Sequence, residues 1–182
     1  DEAQKGKHYE NYQSLEGLPV HHAKRSLTTG GHYAHLKIAE GCDKNCTYCI
    51  IPKIRGRYRS VPIEELIVQA QELAQQGVKE LILVAQETTR YGVDLYGEKS
   101  LHKLLDQLNE IPGIHWIRIL YCYPEEIYEE LICAIKRNSK VCHYLDMPIQ
   151  HINDTILKRM GRRTTKAELT EKIQHLKEEI PD

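Results

Sequence analysis

The chain has 182 residues, 41% hydrophobic and 28% charged, with a formal net charge of −1. Such a length supports one sizeable core, and the composition is that of a folded globular domain rather than a disordered chain. Near-neutrality excludes a polycation that seeks nucleic acid through bulk charge, and no apolar run approaches the ~20 residues that span a bilayer.

The start, DEAQKGKHYE, is too acidic and polar for an export signal. Six cysteines in such a chain point to metal or redox chemistry in the cytoplasm rather than to a disulfide framework. Residues 1–30 read as a tail or linker, with no sustained helix or strand period and several Gly, Ser and Thr breakers. Residues 31–182 then read as one domain. Tyr33 to Ala39 alternates enough to form a first strand that runs into a cysteine loop.

A helix is expected over 62–76, with Pro62 in its first turn and Gly77 as its stop. Ile63, Leu66, Ile67, Ala70, Leu73 and Ala74 share its inner face. Leu81 to Ala85 is a continuous apolar run, as in a strand buried on both faces. A second helix carries Leu101, Leu104, Leu105 and Leu108 and ends before Pro112-Gly113; Trp116 to Leu120 supplies a third strand. A third helix is expected over 125–138, with Ile127, Leu131, Ile132 and Ile135 inward. Val141 to Met147 gives a fourth strand, and helices over 153–160 and 166–179 follow. This alternation predicts an α/β fold, an incomplete (β/α) TIM-type barrel of about four parallel strands with outer helices.

Cys42, Cys46 and Cys49 form a C-x3-C-x2-C loop directly after the first strand. The loop therefore falls at the carboxyl end of a parallel sheet, where such folds place their chemistry. Three thiolates are soft ligands suited to a four-iron cluster, and they leave one iron open for a substrate. A zinc site remains the alternative from spacing alone: a non-catalytic module using these cysteines and a histidine from among His8, His21, His22, His32 and His35. Those histidines show no ligand spacing, and a second C-x2-C pair is absent.

The triad, with Tyr48 before its last cysteine, resembles the signature of radical S-adenosylmethionine enzymes. The longer strings AEGCDKNCTYCIIPKIRGRYRS, LILVAQETTRYGVDLYG, IRILYCYPEEI and YLDMPIQHINDTILKRMGRRT resemble the methylthiotransferase branch of that superfamily. Within it, AQETTRYG and LYCYPEEI look more like the enzymes acting on an aspartate of a small-subunit ribosomal protein than like their sisters acting on a tRNA adenosine. The resemblance implies that Cys42, Cys46 and Cys49 hold a 4Fe-4S cluster whose open iron chelates S-adenosyl-L-methionine. Tyr48 would help seat the adenine, and Gln86 and Glu87 would meet the methionine ammonium. The cofactor carries the reaction, so no catalytic side chain is expected beyond the cluster. The implied partners are the ribosomal protein, an electron donor such as flavodoxin or ferredoxin, and a ribosome or RNA contact; none is a membrane. Enzymes of this branch also carry a domain with three further cysteines and a trailing β-barrel, so these residues alone are expected to fail at sulfur insertion.

Cys133 and Cys142 read as core residues, and Cys122 as core or pocket lining. Lys53 to Arg59 reads as either solvated charge or a contact to cofactor or partner, whereas Lys158 to Arg163 reads as solvated charge. Glu125, Glu126, Glu129 and Glu130 suit the first turns of a helix. Gln150 and His151 reach the barrel mouth as pocket candidates, and Asp146 reads equally well as a satisfied polar group.

Overall fold

Short apolar runs bounded by amphipathic segments give this chain a parallel sheet backed by helices, as seen in a computed structural model. It describes Gly6, Ser14, Leu15, Leu27 and residues 30–182. The tail reading of residues 1–30, with His8, His21 and His22, lies almost wholly outside the described residues.

The elements run β1 (Tyr33–Lys37), β2 (Ala39–Glu40), α1 (Ile51–Arg55), β3 (Arg59–Ser60), α2 (Ile63–Gln75), β4 (Glu80–Val84) and α3 (Val93–Tyr96). They continue as α4 (Leu101–Asn109), β5 (Trp116–Ile119), a 3-10 turn at Pro124–Glu126, α5 (Glu129–Arg137), β6 (Val141–Leu145), α6 (Asp154–Arg159) and α7 (Lys166–Glu179). The main sheet has the order β1-β4-β5-β6 with every pair parallel. Leu36, Leu83, Ile119 and Leu145 lie in register across it, and β6 bulges between its partners to Ile117 and Ile119. An incomplete (β/α) barrel is therefore the observed architecture.

Burial explains the arrangement. Ile63, Leu66, Ala70 and Leu73 form the inner stripe of α2, and Leu101, Leu104, Leu105 and Leu108 that of α4. Both pack in one core with Leu36, Leu81, Leu83, Ile117 and Ile119. Leu105 is fully buried there. Leu105→Ala is expected to cost about 2–5 kcal/mol in urea unfolding through lost burial and a residual cavity. A loss below about 1 kcal/mol would show that the sheet does not pack on α4 as described.

Several boundaries differ from the sequence expectation. The first strand leaves the sheet after Lys37, and Ala39–Glu40 pairs instead with Arg59–Ser60 as an antiparallel ribbon. Asp94 locks that ribbon by accepting from Ser60 N (2.8 Å) and Ser60 Oγ (2.6 Å). β4 is buried on one face only: Leu81 and Leu83 are buried, while Ile82 and Val84 on the alternate face are half-buried. That alternate face lines the open interior of the partial barrel. α5 starts at Glu129 rather than near 125 because Tyr128 is extended and Pro124 opens a separate turn. Cys133 is exposed on the outer face of α5, and Cys142 is half-buried on the outermost strand β6, so neither belongs to the core.

Candidate functional site

Gly41 opens the cysteine loop at the carboxyl end of the sheet. Its φ is +80°, and a Cβ there would lie 2.0 Å from the Arg57 carbonyl oxygen, so only glycine fits. Cys42 N donates to Gly56 O (3.2 Å), and Cys49 N donates to Cys46 O (3.0 Å) in a tight turn. Lys44 N donates to the Cys42 sulfur at 3.4 Å. Cys42 and Cys46 are buried and Cys49 is exposed. Burial first, then the charges of Glu87, Cys46 and Cys49, push the Cys42 thiol above its ordinary pKa against the Lys44 N–H. The Cys42 sulfur thus lies within electrostatic reach of Cys46, Cys49 and Glu87.

The loop is clamped from the far end of the domain. Thr47 N and Oγ1 donate to the carbonyls of Met160 (3.1 Å) and Arg159 (3.0 Å). Gly161 follows with φ +74°, its Cα so close that a Cβ would lie 3.0 Å from Asn45 O. That turn swings Arg162 inward. Its side chain is 1% exposed, pairs with Glu125 Oε2 at 3.0 Å and stacks 4.2 Å from the Tyr123 ring centroid. The Tyr123 hydroxyl lies 3.9 Å from Cys46 Sγ. Arg162 Nε and Nη1 are buried without a hydrogen-bond partner among the described residues. Burial opposes the guanidinium charge, yet Glu125, Tyr123, Cys46 and Tyr48 outweigh it and raise its pKa.

Of the acidic residues after β5, Glu129 and Glu130 do open α5, whereas Glu125 and Glu126 lie in the preceding 3-10 turn and face the site instead. Glu125 holds Arg162, and Glu126 pairs with Lys44 and with Lys99 (2.9 Å). Burial opposes ionisation of Glu126, but the two lysines hold its carboxyl below the usual range. A cavity of about 370 Å³ lies among Asp43, Lys44, Asn45, Arg90, Glu126 and the Gly161–Arg163 turn.

Gln86 and Glu87 follow β4 into the same region. Gln86 Oε1 is buried and unpartnered among the described residues. Glu87 is 1% exposed, with Lys44 Nζ at 3.9 Å and Thr89 Oγ1 at 3.5 Å. Burial raises its pKa from 4.5 to about 7, with Lys44 opposing. The folded chain therefore holds a proton that the unfolded chain releases between these values. The resulting stability is present below pH 4.5 and lost as pH rises through about 7. Glu87→Gln should flatten this slope, making the wild type lose roughly 3 kcal/mol more than the variant between pH 4 and pH 8. Parallel urea-stability curves for the two proteins would show that Glu87 ionises freely.

Other candidates are placed differently. Tyr48 is half-exposed beside Cys46 and Arg162, both of which bear on its hydroxyl. Cys122 is wholly buried, and burial pushes its thiol up to about 12, as for a packing residue. Asp146 accepts from Tyr121 N (3.1 Å) and its carbonyl from Cys122 N (2.8 Å), so it fastens adjacent strand ends. Gln150 and His151 are exposed, and His151 Nδ1 accepts from Asn153 N at 2.9 Å. Lys53, Arg55 and Arg57 are exposed, whereas Tyr58 within that run is buried and donates to Glu87 O at 2.8 Å. Arg162 is the residue that its charge run concealed; the one local signal was the glycine before it, which turns the chain back on the loop.

The donor set fits an iron–sulfur cluster. Three thiols lie in one loop, with Cys46 beside the Tyr123 hydroxyl and Glu87 near Cys42. Among the described residues no three His, Cys, Asp or Glu side chains converge on a point that would hold a single metal ion. A four-iron cube binds each thiolate through a different iron and needs no such convergence. His32 lies before β1, at the opposite end of that strand from the loop.

This fold, with a C-x3-C-x2-C loop at the carboxyl edge of its sheet, marks a radical S-adenosylmethionine core. The Radical SAM superfamily profile matches residues 36–182, and the chain belongs to that superfamily. It is 61% identical over 177 residues to the ribosomal protein uS12 methylthiotransferase RimO of Lachnoclostridium phytofermentans, covering 97% of this chain and 40% of that protein. The RimO of Clostridium perfringens is 55% identical over 182 residues, covering 100% of this chain and 40% of that protein. The chain thus spans about 40% of the length of these curated relatives. Among solved structures it resembles the radical S-adenosylmethionine methyltransferase TsrM of Kitasatospora setae, with a TM-score of 0.63, 19% identity, and coverage of 82% of this chain and 29% of that one. The cobalamin-dependent radical enzyme OxsB matches with a TM-score of 0.60 and 17% identity over 78% of this chain and 22% of that one.

Proposed function

We propose that this chain is the radical-generating core of a methylthiotransferase whose substrate is ribosomal protein uS12. The observation that carries this reading is the cysteine loop at the carboxyl edge of the sheet, with Glu87 from the end of β4 beside its Lys44 and Cys42. Cys42, Cys46 and Cys49 hold a 4Fe-4S cluster. Gln86 Oε1, buried without a partner, and the Glu87 carboxylate accept N–H bonds from the methionine ammonium of S-adenosyl-L-methionine. Tyr48 offers a ring face for the adenine. When bound, the cluster and S-adenosyl-L-methionine supply reductive cleavage of a sulfonium to a carbon radical that abstracts hydrogen.

The chain's own contribution is positioning. Gly41 and Gly161 let backbone approach the loop closely, Thr47 ties it to α6, and Lys44 pairs with Glu126 beside Glu87. The relatives' names support uS12 as substrate over a tRNA adenosine. A low-potential donor of the flavodoxin or ferredoxin class would supply the electron. Among the described residues no helix is long and apolar enough to cross a membrane; a ribosomal substrate supports a cytoplasmic reaction. Tyr48, Ile50 and Ile54 are exposed beside Lys53, Arg55 and Arg57, a mixed apolar and basic face suited to a ribosomal or RNA contact.

Anaerobic reconstitution with iron and sulfide tests the reading. Broad charge-transfer absorption should appear, and 5′-deoxyadenosine should form once S-adenosyl-L-methionine and a strong reductant are added. A zinc module gives neither result, and either failure rejects the assignment.

A further inference from the structure

Arg162 is a buried cation that the proposed chemistry leaves without a task. Its side chain is 1% exposed and Glu125 satisfies only Nη2, together with a 3.3 Å contact to Pro148 O. Nε and Nη1 remain buried with no partner among the described residues. Desolvating a guanidinium and leaving two of its nitrogens unpaired is costly. Such an arrangement persists where another negative group completes it. The surroundings name that group: the Tyr123 ring on which Arg162 stacks reaches Cys46 Sγ through its hydroxyl, and the Gly161 turn rests on Asn45 and Cys46.

We propose that Arg162 is a positioning residue for electron entry: its buried charge, set beside Cys46 by Tyr123 and Glu125, raises the potential at which the cluster accepts an electron. The inference rests on the reading that the cysteine loop holds a 4Fe-4S cluster. One electron arrives from a low-potential donor, no bond forms or breaks, and the cluster with its thiolates becomes one unit more negative. A nearby fixed cation stabilises that reduced state more than the oxidised one, and charge and hydrogen bonding at the sulfurs are known levers on such potentials. Glu125 acts in the opposite sense, tempering the same cation.

The test is a reductive titration of the anaerobically reconstituted chain, followed by electron paramagnetic resonance, with iron and sulfide measured in every sample. For Arg162→Gln, poised at the wild-type midpoint, oxidised cluster should exceed reduced by about tenfold, a displacement of about 59 mV for a one-electron couple. Arg162→Lys should fall between the two, because it keeps the charge but loses the planar donors. Glu125→Gln should move the midpoint upward. An Arg162→Gln midpoint equal to the wild type, at equal iron content, overturns the proposal. If that variant holds no iron, Glu125→Gln decides: an unchanged or lowered midpoint overturns it. A wild-type chain that assembles no cluster rejects the underlying reading instead, and this inference falls with it.

Discussion

Cys46→Ala should abolish the charge-transfer absorption of the reconstituted chain and reduce 5′-deoxyadenosine formation below detection. The expectation follows from position. Cys46 is the middle ligand of the loop, buried, and the one whose sulfur meets the wall formed by Tyr123. Two remaining thiolates cannot hold a cube that the loop wraps from one side only. Loss of the sulfur should leave the fold nearly intact, because Cys46 lies outside the core that joins the sheet to α2 and α4. Cys122→Ala is the matched control. It should cost about 1–2 kcal/mol in unfolding, as a buried side chain shortened within the core, and retain full iron content. Cleavage activity that survived Cys46→Ala would remove Cys46 from the ligand set.

Gly41→Ala should destabilise the chain by roughly 3 kcal/mol or more and impair iron retention together. Two effects combine at this position. The backbone is in the left-handed region at φ +80°, and the added Cβ would meet three backbone atoms, at 2.0 Å from Arg57 O, 2.7 Å from Arg57 C and 2.7 Å from Gly56 O. Backbone atoms cannot rotate aside as a side chain would, so the ribbon of β2 and β3 must part from the loop. Gly77→Ala separates the contributions, because Gly77 has φ +94° with nothing within 4 Å of its Cβ. That variant should cost only roughly 1–2 kcal/mol, the backbone strain alone. Equal losses for the two, measured by urea unfolding, would mean that the close approach to Arg57 is not needed by the fold.

The four parallel strands and the inner faces of α2 and α4 are legible in the sequence because each carries a local apolar run or period. Leu101, Leu104, Leu105 and Leu108 repeat on one helical face, and all four are buried. The cysteine loop is legible for a similar reason, since its ligands lie within eight residues of one another. Where the period is too short to register, the sequence is silent. The ribbon of Ala39–Glu40 and Arg59–Ser60 has two residues on each side, and α1 and α3 have five and four. The opposing wall is illegible for another reason. Arg162 and Glu125 lie 37 residues apart, and only the glycine before it sets a buried, paired arginine apart from its solvated neighbours Arg159 and Arg163. Pro124 offered a hint, because a proline can open a separate short turn as readily as the helix after it. Here it frees Glu125 and Glu126 to face the loop.

Thr47 Oγ1 and the Arg159 carbonyl that receives its hydrogen bond are 112 residues apart. During synthesis at ~5–20 residues per second, roughly 5–20 s pass between the emergence of these two partners. Through that interval the three thiols are exposed to the cell on an unclamped loop, open to oxidation and to stray metals. Delivery of iron and sulfide to this chain is therefore better timed after α6 has docked than during translation of the loop itself.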